Sequence, residues 1–188
     1  MIISISGAQG SGKSTLAKDL AEKLKWPHYS IGGLRRDAAK TRGLTLAEYN
    51  KLGENDPKTD KEVDLYQKEL GATKDNFIID GRTSWHFIPR SIKIYLDSDP
   101  EIAAQRIFKD LKKNANQRNE DDNLSSWEDV LASNKQRLKS DKKRYQQYYG
   151  INVYDKKNYD FYLDTTKMTG EEAFKQVYEY LEKHLGQH

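Results

Sequence analysis

At 188 residues, with 32 basic against 29 acidic side chains, the chain is long enough for one domain with a buried core and too evenly charged for disorder. It has no cysteine, which excludes disulfides, cysteine-ligated zinc, iron–sulfur clusters and thiol catalysis. A net charge of +3 permits anionic ligands without demanding nucleic acid, and no stretch approaches the ~18 apolar residues of a membrane span, so a soluble, cytoplasmic protein is expected.

Residues 1–6 (MIISIS) read as a buried strand, too short for a signal peptide and lacking a basic start. A glycine-rich turn leads to an amphipathic helix with Leu16, Leu20 and Leu24 on one stripe. His28–Ile31 reads as a second short strand. Residues 32–72 are helical but interrupted: Thr45 and Glu48 form a capping box, Asp56-Pro57 opens a helix and Gly71 is a natural stop. Phe77-Ile78-Ile79 is a strand ending at Asp80-Gly81, and Ile92, Ile94 and Leu96 mark another. Ser98–Glu101 starts a helix carrying Arg106. Residues 112–125 lack apolar periodicity and read as a loop, before a helix from about Trp127 to Tyr149 that stops at Gly150. Tyr159–Asp164 alternates as a last strand, and Thr169 with Glu172 caps a final helix striped by Ala173, Phe174, Val177, Tyr178, Leu181 and Leu185. Strands alternating with helices predict an α/β fold with a parallel sheet, to which two polar insertions, 32–72 and 110–127, are appended.

Residues 7–14 (GAQGSGKS) match G-x-x-x-x-G-K-[ST] at every fixed position, after a strand and before a helix. Gly7, Gly10 and Gly12 let backbone N–H groups turn around a polyphosphate, with Ser11 and Thr15 in the same cradle. Lys13 is expected to reach the β- and γ-phosphates and Ser14 to ligate Mg²⁺.

Asp80 ends an apolar strand where a parallel sheet binds ligands, which suits it to a magnesium ion; the plainer alternative is a loop aspartate capping the next turn. Arg82, just beyond, suits a fork-like grip on a phosphate. Arg137, Asp141 and Arg144 share one helix face, which by itself reads as a solvated surface with an i,i+4 ion pair; in a nucleotide kinase it reads as charge neutralisation around transferring phosphates. The four histidines show no metal spacing. Trp85 and His86 read equally as pocket or core, and Tyr145, Tyr148 and Tyr149 as packing.

Four motifs together, residues 5–15 (ISGAQGSGKST), Gly32-Gly33-Leu34-Arg35-Arg36, Asp80-Gly81-Arg82 and Lys143-Arg144-Tyr145 leading to Tyr149-Gly150, resemble the archaeal-type cytidylate kinases and their bacterial relatives over nearly the whole chain. The resemblance implies a three-layer P-loop fold with a five-stranded parallel sheet, a helical monophosphate-binding insertion at 32–72 and a lid at 110–127. It implies ATP- and Mg²⁺-dependent phosphoryl transfer to CMP or dCMP by a monomer without nucleic-acid or membrane partners. By position, Arg36 and Arg82 would hold the acceptor phosphate. Arg106, Arg137 and Arg144 would contact the transferred or donor phosphates, the catalytic set being Lys13, Asp80, Arg82, Arg137 and Arg144. Three features depart from the family pattern: Gly33 where an aspartate is usual, Asp110 where a lid arginine is expected, and Thr83-Ser84-Trp85 after the aspartate-glycine-arginine motif. A kinase for another monophosphate or small metabolite, and a P-loop regulatory ATP-binding protein, are the alternatives.

Overall fold

The computed structural model describes residues 1–113 and 124–185. Strand β1 (Ile2–Gly7) is buried at all six positions, as a parallel strand covered on both faces must be. Its side chains divide by the two-residue period of a strand. Ile3 and Ile5, with Ile78, Ile94, Leu96 and Leu163, pack on one face against α1 (Lys13–Leu24) and α8 (Gly170–Leu185). Ile2 joins Phe77 and Ile79 on the other face, against Ile31, Leu70 and Ile88. These are the expected three layers, and the sheet is entirely parallel in the order β2-β3-β1-β4-β5. The remaining strands are β2 (His28–Ser30), β3 (Phe77–Asp80), β4 (Ile92–Asp97) and β5 (Phe161–Asp164). Among the described residues no helix is long and apolar enough to cross a membrane.

The region 32–72 folds as α2 (Ile31–Thr41), α3 (Leu46–Gly53) and α4 (Lys58–Thr73). Both hydrogen bonds of the Thr45–Glu48 capping box form. Gly71 does not end α4, which continues to Thr73; a side chain at 71 would meet Ile88 Cγ1 at 2.9 Å, so the glycine serves close packing. A short helix, α5 (Ser84–Phe87), has no periodic signal in the sequence and follows β3 directly. Helix α6 (Pro100–Lys113) reaches further than the expected loop start at 112. It packs against α7 (Trp127–Tyr149), which ends at Gly150 in the left-handed conformation, as expected. Most of the expected lid, 110–127, lies outside the described residues.

Gly10 ties this architecture to the phosphate loop. Its φ is +73° and a Cβ there would lie 2.5 Å from the Ala103 carbonyl oxygen, inside the backbone of α6. Gly43 has a similar φ, +68°, with open space around it. Gly43→Ala should therefore lose only the left-handed backbone term, about 1 kcal/mol. Gly10→Ala adds the overlap and should lose at least about twice as much. Urea unfolding of both variants checks the difference.

Candidate active site

The loop leaving β1 is anchored by the Ala8 N–H, which donates to the Leu96 carbonyl at 3.1 Å. Helix α1 then opens at Lys13 with Gly12 as its N-cap at φ +89°, without a side-chain cap and without an acidic residue in its first turn. First-turn N–H groups left uncapped by the chain's own side chains suit an anion. The Lys13 ammonium donates to the Ala8 carbonyl at 3.0 Å, folded back over the loop it closes. Ser14 and Thr15 are exposed at the mouth.

Parallel pairing sets Asp80 beside Ile5 of β1, at the carboxyl ends of the central strands. Its carboxylate is buried. Oδ2 accepts from the Ser14 hydroxyl at 2.7 Å, and Oδ1 lies 2.7 Å from His28 Nε2. Burial pushes this carboxyl up, but hydrogen bonds from His28 and Ser14 and the nearby Lys13 charge outweigh it and hold it below its ordinary value. Lys13, Ser14 and Asp80 thus converge as the sequence suggests. An ionised carboxylate and a hydroxyl are hard oxygen donors that fit Mg²⁺. Among the described residues no group of three or more His, Cys, Asp or Glu side chains could hold a metal alone. A cation here would have to complete its shell with water and nucleotide phosphate.

The face carrying Arg137, Asp141 and Arg144 is not a solvated surface. Asp141 is 1% exposed and Arg144 0%. Arg144 Nη1 donates to both oxygens of Asp60 at 2.6 and 2.8 Å, and its Nη2 donates to Asp141 Oδ1 at 2.7 Å. Asp60 Oδ1 also accepts from Arg35 Nη1 at 2.6 Å. Asp141 Oδ2 accepts from the Tyr154 hydroxyl at 3.1 Å and lies 2.9 Å from Arg82 Nε. Burial again pushes the Asp141 carboxyl up, and the charges of Arg82, Arg144 and Arg137 overcome it and hold it low. The result is a buried chain Arg35–Asp60–Arg144–Asp141–Arg82, drawn from α2, α4, α7 and the end of β3. Arg144 is therefore placed between two carboxylates and away from solvent, because its guanidinium is the link between them. Arg35 Nη2, Arg144 Nε and Arg82 Nε are buried without an aligned hydrogen-bond acceptor among the described residues.

Arg36 is half-buried on α2, its guanidinium lying back over Gly32, and Arg137 is half-buried on α7. Arg106 stands apart from this group. Its Nη2 donates to the Thr165, Thr166 and Met168 carbonyls at 2.8, 3.3 and 3.2 Å, and its Nη1 to the Ser98 and Thr165 hydroxyls. It borders a cleft of about 150 Å³ with Ser11, Gly12, Thr15 and Thr169, on the α8 side of the phosphate loop.

Sequence reasoning did not foresee Arg35, Asp60, Tyr154 or the contact of His28 with Asp80. Asp64 and Gln67, which the resemblance places on the helix of the insertion without a contact, are joined on α4: Tyr149 donates to Asp64 Oδ2 and Gln67 Nε2 to its Oδ1, while Gln67 also joins Thr83 and Ser84. Tyr148 donates to the Gly53 carbonyl at 2.7 Å, and Tyr145 stacks on Tyr149, so the tyrosine cluster packs α7 onto the insertion as expected. Trp85 makes edge contacts with His86 and Tyr159.

Fold and phosphate loop together define a P-loop phosphotransferase. A family profile described as an AAA domain matches residues 3–130. The cytidylate kinase of Staphylothermus marinus is 34% identical over 187 residues, 98% of each chain. Those of Methanocella arvoryzae and Natronomonas pharaonis are 36% and 34% identical, covering 89% and 90% of this chain and 89% and 83% of theirs. The chain belongs to the cytidylate kinase family, and is a nucleoside monophosphate kinase with ATP as a substrate. Among solved structures, an uncharacterized protein from Eubacterium ventriosum aligns with TM-score 0.67 at 20% identity, covering 97% of this chain and 98% of that one. A shikimate kinase from Bacteroides thetaiotaomicron aligns with TM-score 0.63 at 17% identity and the same coverage. Both share the fold.

Two outcomes follow from the buried charges. Arg144→Met leaves Asp60 with Arg35 and Asp141 with Arg82 as their remaining cationic partners and should destabilise by about 3–5 kcal/mol, whereas Lys143→Met, at an exposed pair with Glu54, should change stability by under about 1 kcal/mol. Urea unfolding at neutral pH separates them. Burial raises Asp64 from 3.8 to about 6 against the hydrogen bond from Tyr149. A carboxyl raised in the folded state adds stability below its unfolded value and loses it as pH climbs through the folded one. Asp64→Asn should thus gain stability relative to the parent from about pH 4 to about pH 7 and then level off. Urea midpoints across that range give the answer; a constant difference would place the folded value of Asp64 near 3.8.

Proposed function

We propose that this kinase transfers the γ-phosphoryl group of ATP to CMP or dCMP with Mg²⁺. The observation that carries the reading is the excess of guanidinium in the buried cluster that ends at Arg82, two residues beyond Asp80. Four arginines, 35, 82, 137 and 144, act on three carboxylates, Asp60, Asp64 and Asp141. Their unaligned N–H groups and the residual positive charge suit a phosphate dianion, which arginine grips by paired hydrogen bonds. Relatives named cytidylate kinase make cytidylate the acceptor of choice.

In this reading, Arg36 and Arg82 hold the acceptor phosphate. Arg137 neutralises charge on the transferring group, and Arg144 fixes the cluster through Asp60 and Asp141. The insertion at 32–72 closes over the acceptor nucleotide. The acceptor oxygen is already anionic, so no side chain needs to remove a proton. In-line attack depends on holding two polyanions together. Lys13 swings from the Ala8 carbonyl to the β- and γ-phosphates, and the phosphate loop N–H groups take the rest. Ser14 and Asp80 would hold Mg²⁺, which when bound with ATP offsets charge on the β- and γ-oxygens. Arg106, held by the Thr165, Thr166 and Met168 carbonyls beside its cleft, lies on the donor-phosphate side. This keeps donor and acceptor on opposite flanks of β1.

Arg82→Lys keeps the charge and loses the fork. It should raise the KM for CMP about 10-fold or more and lower kcat, with the KM for ATP little changed. Coupled ADP-release kinetics with ATP and CMP varied separately test this. Weakened ATP binding with unchanged CMP binding would move Arg82 out of the acceptor pocket. If no monophosphate in a panel stimulated ADP release, the acceptor assignment itself would fall.

A further inference from the structure

We propose that His28 is a positioning residue for phosphoryl transfer, fixing the plane of the Asp80 carboxylate so that Oδ2 faces Ser14 and the phosphate loop. The inference rests on the reading of Asp80 as the acid that orients magnesium. It starts from sheet register. Strand β2 pairs with β3 so that Ser30 lies opposite Asp80 and His28 opposite Ile78. With a period of two, His28, Ser30 and Asp80 share one face, and an imidazole is long enough to span the diagonal. Nε2 accordingly reaches Asp80 Oδ1 at 2.7 Å. A carboxylate only accepts, so Nε2 carries the hydrogen and donates.

Both oxygens of Asp80 are then committed, Oδ1 to His28 and Oδ2 to Ser14, in the first turn of α1. One bond alone would leave the carboxylate free to turn about Cβ–Cγ; two bonds on opposite oxygens do not. This is the arrangement by which an outer partner orients a carboxylate toward a cation. Packing of β2 does not call for a histidine here. Tyr29, on the opposite face, makes the edge contacts that seat the strand, with Tyr66 and Phe77.

The test compares His28→Ala, His28→Gln and Asp80→Asn. Each is assayed for Mn²⁺ binding to its complex with ATP by electron paramagnetic resonance, and for turnover against Mg²⁺. Removing an outer partner of this kind weakens metal affinity or activity about 10- to 100-fold. His28→Ala should show that loss, with the KM for the acceptor monophosphate unchanged. His28→Gln, which keeps an amide donor, should recover most of it. Should the alanine protein not fold, His28→Leu, which retains apolar volume without a donor, takes its place. Parental Mn²⁺ affinity in His28→Ala alongside weakened affinity in Asp80→Asn would overturn the role of His28 alone. Unchanged affinity in Asp80→Asn would instead overturn the reading of Asp80. Equal losses in His28→Ala and His28→Gln would show that the donor is not what matters, and would overturn the inference.

Discussion

Five ionised groups held out of water set the terms for the rest of this molecule. Each carries a desolvation penalty of several kcal/mol, which only close, well-aligned opposite charges offset. Asp60 satisfies that by accepting from Arg35 of α2 and Arg144 of α7 at 2.6 Å each. Asp141 satisfies it between Arg144 and Arg82. The chain therefore cannot slide one element without stranding a charge. Helices α2, α4 and α7 and the end of β3 are placed by the same five groups. Apolar burial supports the same elements: Ile31 of α2 and Leu70 of α4 join one cluster on the sheet, and Val130 of α7 packs with Ala104 and Ile107 of α6. Charge thus fixes how α2, α4, α7 and the end of β3 meet one another, and apolar burial holds them to the rest of the fold.

That division explains what could be read from the sequence. Elements with a local signal were legible. The phosphate loop is spelled by its glycines and lysine, the Thr45–Glu48 box caps α3, and Gly150 ends α7 in a left-handed turn at φ +68°. The apolar strands were legible because burial on both faces demands continuous apolar runs. What escaped depends on tertiary partners. Arg137, Asp141 and Arg144 have the same spacing whether they face water or Asp60, which lies 84 residues away from Arg144 in sequence. Gly71 looked like a helix stop because nothing in its neighbourhood in sequence announces Ile88. His28 lacked metal spacing, and its partner is set by β2–β3 register.

Sheet order also separates the tasks of the site. β1 lies between β3 and β4, so its loop meets Asp80 on one flank and Leu96 on the other. The β3 flank collects Ser14, His28 and the buried arginines. The β4–β5 flank collects Arg106 and the loop before α8, tied to the phosphate loop where the Thr165 hydroxyl lies 3.0 Å from the Ser11 carbonyl. A ligand with two phosphate-bearing ends can enter from both sides of one strand, with the transferable group over α1.

The glycines of the motifs also sort into those the fold requires and those it merely permits. At Gly81 a Cβ would lie 2.5 Å from Ser84 Oγ and 2.8 Å from Ile31, both buried, so the glycine before Arg82 is a packing requirement. At Gly7 a Cβ would lie 2.1 Å from the Leu96 carbonyl oxygen. Gly33 is different. It sits in the first turn of α2 with its N–H donating to Ser30 Oγ at 3.2 Å, and a Cβ there would make only ordinary contacts at 3.4 Å with the same serine. Neither the backbone at Gly33 nor the space around a Cβ there demands a glycine. The absence here of the aspartate usual in the family is a property of the acceptor side and not of the fold. Whatever distinguishes this site from its relatives at that turn is free to vary without disturbing the scaffold that holds Arg35 and Arg36 two and three residues on.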